Sequence, residues 1–295
     1  MTTPSTPHAQ PFPQPGPQGA VSAPEQHWPG GGQQPGYLSP VPQRRATLAD
    51  ALASEWTKIR SVRSTLWNFG VLLALILGIG ALITAALSSN DVPQDQSPLS
   101  LGFIGVLLGI MPVMTLGVMT IASEYGTGMI RTTLTACPSR ARVLAAKAIV
   151  FAVLTFVVTL VATTLASALL AGALGGRSST ALWLWTTVGV SAYVALIGLF
   201  ALAIGTLLRH SAGAITLMIG FVLLPLVTAL FLAATPLGEV QNFLLEYSIP
   251  SQLGVFYGTP MVDGAPGGWE ALGIMGGLTA VFLGLAFYVQ DRRDV

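Results

Sequence analysis

The chain has 295 residues, of which 52% are hydrophobic and only 8% charged, with a formal net charge of +1. A soluble domain is roughly a quarter charged, so this composition calls for lipid to cover the outer surface. The charge balance carries no footprint for nucleic acid. A single cysteine, Cys137, and three scattered histidines exclude a disulfide framework and predict no metal site.

Residues 1–45 hold eleven prolines, seven glutamines and six glycines. Such a segment has little apolar surface to bury and cannot offset its ordering entropy. It is expected to be a disordered cytoplasmic tail, and it lacks the apolar stretch of a cleavable signal.

Residues 46–66 change character. Leu48, Leu52, Trp56 and Ile59 recur at helical spacing, with Asp50, Ser54, Lys58 and Ser61 mostly on the other side. Lys58, Arg60 and Arg63 cluster just before the first apolar run. The pattern predicts an amphipathic helix in the membrane interface, with its cations near anionic headgroups. A generic anchor accounts for the same residues.

Six apolar segments follow: 67–87, 101–122, 148–174, 182–208, 212–234 and 269–290. Each meets the ~20 residues that a helix needs to cross a hydrocarbon core of about 30 Å. With six spans, twelve of the thirteen cations fall on the side of the termini and only Arg177 on the other. The positive-inside rule then places both termini in the cytoplasm. The expected fold is an all-α polytopic membrane protein, with the six-span domain over 67–295. Pro112 and Pro225 are expected to kink their helices. Gly105 with Gly109, and Gly273 with Gly277, permit close helix approach. The last outer loop, 235–268, carries both prolines and apolar residues, and predicts short helices re-entering the outer leaflet. A surface loop with a small core of its own is the alternative.

The longest basic interruption is 123–147. Glu124 and Tyr125 end the second span, and Gly126 and Gly128 loosen the exit. Residues 129–136 predict a short helix, with Met129, Ile130, Thr133 and Leu134 on one side. Pro138 stops it, and Ser139 caps the next helix, which carries Arg140, Arg142 and Lys147. A short helix across two span ends can pass a push from a partner to both. A plain topogenic loop fits equally well.

Two stretches carry a family resemblance. Residues 51–67 (ALASEWTKIRSVRSTLW) and 124–147 (EYGTGMIRTTLTACPSRARVLAAK) resemble the membrane subunits of type-2 ABC transporters, the exporter-type permeases. The first resembles that family's interfacial helix, with Glu55, Trp56, Lys58 and Arg60 in matching places. The second resembles its coupling loop, with Glu124, Gly128, Arg131, Leu134, Pro138, Arg142 and Lys147 matching and Tyr125 beside them. The resemblance implies a permease that is not itself an enzyme. It also implies a separate ATP-binding subunit, a second permease copy in a homodimer or heterodimer, and a cell-membrane location. This chain has no G-x-x-x-x-G-K-[ST] phosphate cradle, so no cofactor is expected on it, and ATP and Mg belong on the partner. A lipophilic drug, lipid or peptide suits spans without buried charge. The competing readings are a non-transport scaffold or sensor, an ion-driven transporter, and an intramembrane enzyme. No nucleophile–base pair or metal motif supports the last.

Overall fold

A computed structural model describes residues 46–87, 97–175, 178–234 and 236–292. The expected tail at 1–45 lies outside them. The described residues form eleven α-helices: α1 Leu48–Ser61, α2 Arg63–Ala86, α3 Phe103–Thr127, α4 Met129–Ala136, α5 Arg140–Leu174, α6 Thr180–Leu184, α7 Val190–Leu208, α8 Ser211–Leu232, α9 Gly238–Glu246, α10 Ile249–Phe256 and α11 Gly268–Arg292. A 3-10 turn at Pro98–Gly102 leads into α3, and a π-helical stretch at Trp185–Gly189 joins α6 to α7. Six of these helical runs are long and apolar enough to cross a membrane. They match the six apolar segments in number and order.

The boundaries differ where polar residues continue a helix. α5 begins at Arg140, eight residues before its apolar run, because the Ser139 side chain accepts from the Arg142 N–H and caps it. α3 runs on to Thr127 and stops at Gly128, whose φ of 73° lies in the left-handed region that glycine adopts without strain. The helix expected over 46–66 is two helices. Thr47 and Asp50 form a reciprocal cap at the start of α1. Val62 then adopts an extended conformation, its N–H bonding the Lys58 carbonyl, and Arg63 already belongs to the first span helix.

The bundle is built around α7. Of its apolar window, together with α6, 78% is buried, against 17% for α8 and for α11. α7 packs against α3, α5, α11 and α8, while α2 lies against α3 and α5. The tightest crossing is between α3 and α7, where a Cβ on Gly117 would strike the Gly198 carbonyl. Gly105 and Gly109 seat α2: a Cβ on Gly109 would stand 2.9 Å from Leu72 Cδ1, and one on Gly105 would stand 3.2 Å from the Ile76 backbone. Their close approach is therefore made within this chain. Gly273 and Gly277 have open space around them. α3 and α8 both continue through Pro112 and Pro225.

Residues 235–268 carry α9 and α10. α10 is buried along nearly its whole length and packs against α3, α7 and α11, whereas α9 has no buried residue and rides on α8. The Tyr193 hydroxyl donates to Gln252 Oε1 at 3.2 Å, tying α7 to α10. The Trp185 ring lies 5.8 Å from Phe256 and 5.1 Å from Trp269, joining the start of α7 to α10 and α11.

Candidate functional site

The alternation of six spans brings the start of α5 and the end of α3 to the same end of the bundle, beneath α1. Four charged side chains meet there. Lys147 Nζ donates to Glu124 Oε1 at 2.6 Å and to Glu55 Oε2 at 2.9 Å. Lys58 Nζ donates to Glu124 Oε1 at 2.9 Å and to Glu55 Oε1 at 2.8 Å. Glu124 is 2% exposed and Lys147 1% exposed, so these charges lie inside protein. Two carboxylates balance two ammonium groups, which makes such burial tolerable; removing one member leaves an uncompensated charge. Burial opposes the charge on Lys58, but hydrogen bonds and the charges of Glu55 and Glu124 outweigh it and raise its pKa. Glu124 Oε2 has no hydrogen-bond partner.

The cluster joins three elements: α1 through Glu55 and Lys58, α3 through Glu124, and α5 through Lys147. Two further staples flank it. Arg142 Nη1 donates to the Ala46 carbonyl at 2.5 Å, holding the entry of α1. Arg140 Nη1 donates to the Gln290 carbonyl at 3.0 Å, reaching α11. The cations at the head of α5 thus each contact a different part of the fold.

Beside the cluster α4 lies across the break between α3 and α5. Ile130 is buried, Leu134 packs on the core and Thr133 is half-buried, but Met129, expected on the same side, is 43% exposed. Met129 directly follows the Gly128 turn, before the helix has settled onto the bundle. Between α1 and α4 runs a groove of about 360 Å³, lined by Asp50, Ser54, Glu55, Lys58, Met129, Thr132, Thr133 and Cys137 among others.

The residues picked out in the sequence therefore divide. Glu55, Glu124 and Lys147 are buried, and Lys58, Tyr125, Leu134 and Arg142 are half-buried. Trp56, Arg60, Gly128, Arg131 and Pro138 are exposed. α1 faces the bundle with Ala51 and Glu55 and turns Leu48 and Trp56 outward. The sequence reading missed Arg209, whose guanidinium lies 4.7 Å above the Tyr125 ring. Its one signal was an arginine alone between two apolar spans. It also missed Gln290, which nothing in the local pattern set apart.

Six spans, with a short amphipathic helix bridging the second and third, define a polytopic membrane protein. The chain belongs to the ABC-2 transporter family: the model of the ABC-2 family transporter protein matches residues 51–226, more than half of the chain. The match takes in most of α1, the ionic cluster and α4. Membrane proteins of this family generally work with an ATP-binding subunit. No curated protein matches the chain.

Proposed function

We propose that this chain is the permease subunit of an ATP-driven exporter in the cell membrane, with both termini in the cytoplasm. Separate ATP-binding subunits carry ATP and Mg. They dock against α4 and α1, and their closure moves two permease copies, a homodimer or a closely related heterodimer, between inward and outward states. The cargo class that fits apolar spans is a lipophilic drug, lipid or peptide.

The observation that carries this reading is the buried ionic cluster beside α4. A short exposed helix on a flexible loop would absorb a push. Here α1, α3 and α5 are locked together by Glu55, Lys58, Glu124 and Lys147. Displacement of α4 and α1 therefore reaches two spans as one body. The division of residues refines the expected roles. Arg131, Arg60 and Trp56 face outward and suit contact with the partner, whereas Glu124 and Lys147 suit transmission behind it. Gly128 supplies the turn between span and coupling helix. The chain's only two lysines are both in the cluster, which leaves none for a nucleotide phosphate. The buried α10 supports the re-entrant reading of the last outer loop.

The test is purification from the native membrane in mild detergent. Stoichiometric recovery of an ATP-binding subunit, with cargo-stimulated hydrolysis lost in Arg131→Ala while expression and membrane insertion stay normal, is the expected result. A six-span protein without a nucleotide-binding partner would overturn the reading and favour a scaffold or an ion-driven carrier.

A further inference from the structure

We propose that the π-helical stretch Trp185–Gly189 is a register switch that seats and releases α10, making α10 a movable plug at the end of the bundle opposite the ionic cluster. The purpose of such a plug, an exit for cargo, rests on the permease reading. The movement itself rests on the fold alone.

A π turn closes its hydrogen bonds over five residues instead of four, so the helix carries one extra residue there. Side chains hold the wide turn in this chain. The Thr187 and Thr186 hydroxyls both donate to the Trp183 carbonyl, at 2.6 and 3.2 Å, and the Ser191 hydroxyl donates to the Thr187 carbonyl at 2.6 Å. In an α-helix the Trp183 carbonyl would take the Thr187 N–H. A return to α geometry makes the hydroxyls yield that carbonyl. It also turns everything before it by about 100° and draws it about 1.5 Å along the axis. α6, the part that turns, has no buried residue. Trp185, the first residue of the wide turn, carries the movement to α10. Its ring fills a slot left by two glycines: a Cβ on Gly189 would stand 2.6 Å from the ring, and one on Gly268, at the start of α11, 3.1 Å from it. Phe256 of α10 lies beside Trp185 and shares the slot, since the same Gly189 Cβ would stand 3.1 Å from Phe256. Rotation of Trp185 therefore removes one wall of the seat that holds Phe256.

The second observation lies in α10 itself. Seven of its eight residues are buried, and two of those, Ser251 and Gln252, are polar. Ser251 is 0% exposed and its hydroxyl has no hydrogen-bond partner. Native folds leave few such groups, because each costs its desolvation. That cost is lifted whenever α10 meets water, and an alanine at the position would avoid it altogether. The tie from Tyr193 to Gln252 Oε1, at 3.2 Å, is long for a bond between two oxygens and holds α10 only weakly. α10 is thus well shaped for its seat and poorly satisfied in it, as a part that must leave requires.

The experiment uses the full chain carrying Cys137→Ser and Ser251→Cys, purified in mild detergent without an ATP-binding subunit, so that its outcome does not depend on the permease reading. Reaction of the new thiol with a water-soluble maleimide is timed, and Tm is measured for each variant. With fast reclosing, the labelling rate tracks the population of released α10. The parent is expected to label to completion well below its Tm. Thr187→Val, which keeps the shape and removes the hydroxyl, should speed labelling about tenfold. Thr206→Val removes an equal bond further along α7, to the Leu202 carbonyl at 2.9 Å, and should leave the rate unchanged. Deletion of Thr186 removes the extra residue, so the helix closes as α with both flanks in their present phase and no second register to reach. Its labelling should be slower than the parent's. Rates that simply follow Tm across the variants would overturn the proposal. So would equal acceleration by Thr187→Val and Thr206→Val, or a folded deletion variant that labels faster than the parent. If the deletion variant does not fold, the two threonine variants decide.

Discussion

Lys147 is 1% exposed at the head of a membrane-spanning helix and is neutralised by two carboxylates from two other helices. Lys147→Met should leave those carboxylates with Lys58 alone and cost about 3–5 kcal/mol, read as a fall in Tm in detergent. Restoring the balance in the double variant Lys147→Met/Glu124→Leu should recover much of that loss, since apolar replacement of a buried ion pair is often close to neutral. Lys58 gives the pH dependence. Its folded-state pKa is raised above the ordinary 10.5 by its bonds to Glu55 and Glu124, net of the burial that opposes its charge. The stability it contributes is therefore complete below about pH 10.5 and is lost as pH climbs through the raised value. Wild type should lose Tm across that alkaline window more steeply than Lys58→Met. The residue types of this cluster were visible in the sequence, but their pairing was not. Glu55 and Lys147 are 92 positions apart, and both could be read as surface charges for a partner.

At the scale of the element, local signals were strong. The short helix at Met129–Ala136 begins after a glycine turn and ends before Pro138, as its sequence predicts. Ser139 caps α5 for the reason that its position suggested. The break at Val62 was not legible, because the helical spacing of apolar residues continues across it into the span. The roles of the glycine pairs were also hidden, since both pairs have the same spacing. Only packing separates them. Gly117→Ala should clash at the α3–α7 crossing and destabilise by about 1–3 kcal/mol. Gly273→Ala and Gly277→Ala, with open space around them, should leave Tm unchanged or slightly raised. Thermal unfolding of the three variants in one detergent makes the comparison.

At the scale of the whole molecule, the charge sorting predicts which end faces the cytoplasm. In a Cys137→Ser background, a cysteine at Thr132 on α4 should react with an impermeant thiol reagent only when membranes are opened. One at Asp263, in the last outer loop, should react in intact cells. Labelling of the reverse kind would invert the topology. The six spans, their order and the helix between the second and third follow from the sequence by itself. Twenty apolar residues in a row can satisfy their backbone in lipid only as a helix, and that constraint is local. The tertiary structure alone decided that α7 is the buried axis, that α10 joins the core, and that Glu55, Lys58, Glu124 and Lys147 meet as a balanced cluster. Those outcomes depend on which helix faces meet. In a chain whose spans are apolar on every side, the hydropathy pattern marks the helices and leaves their faces indistinguishable.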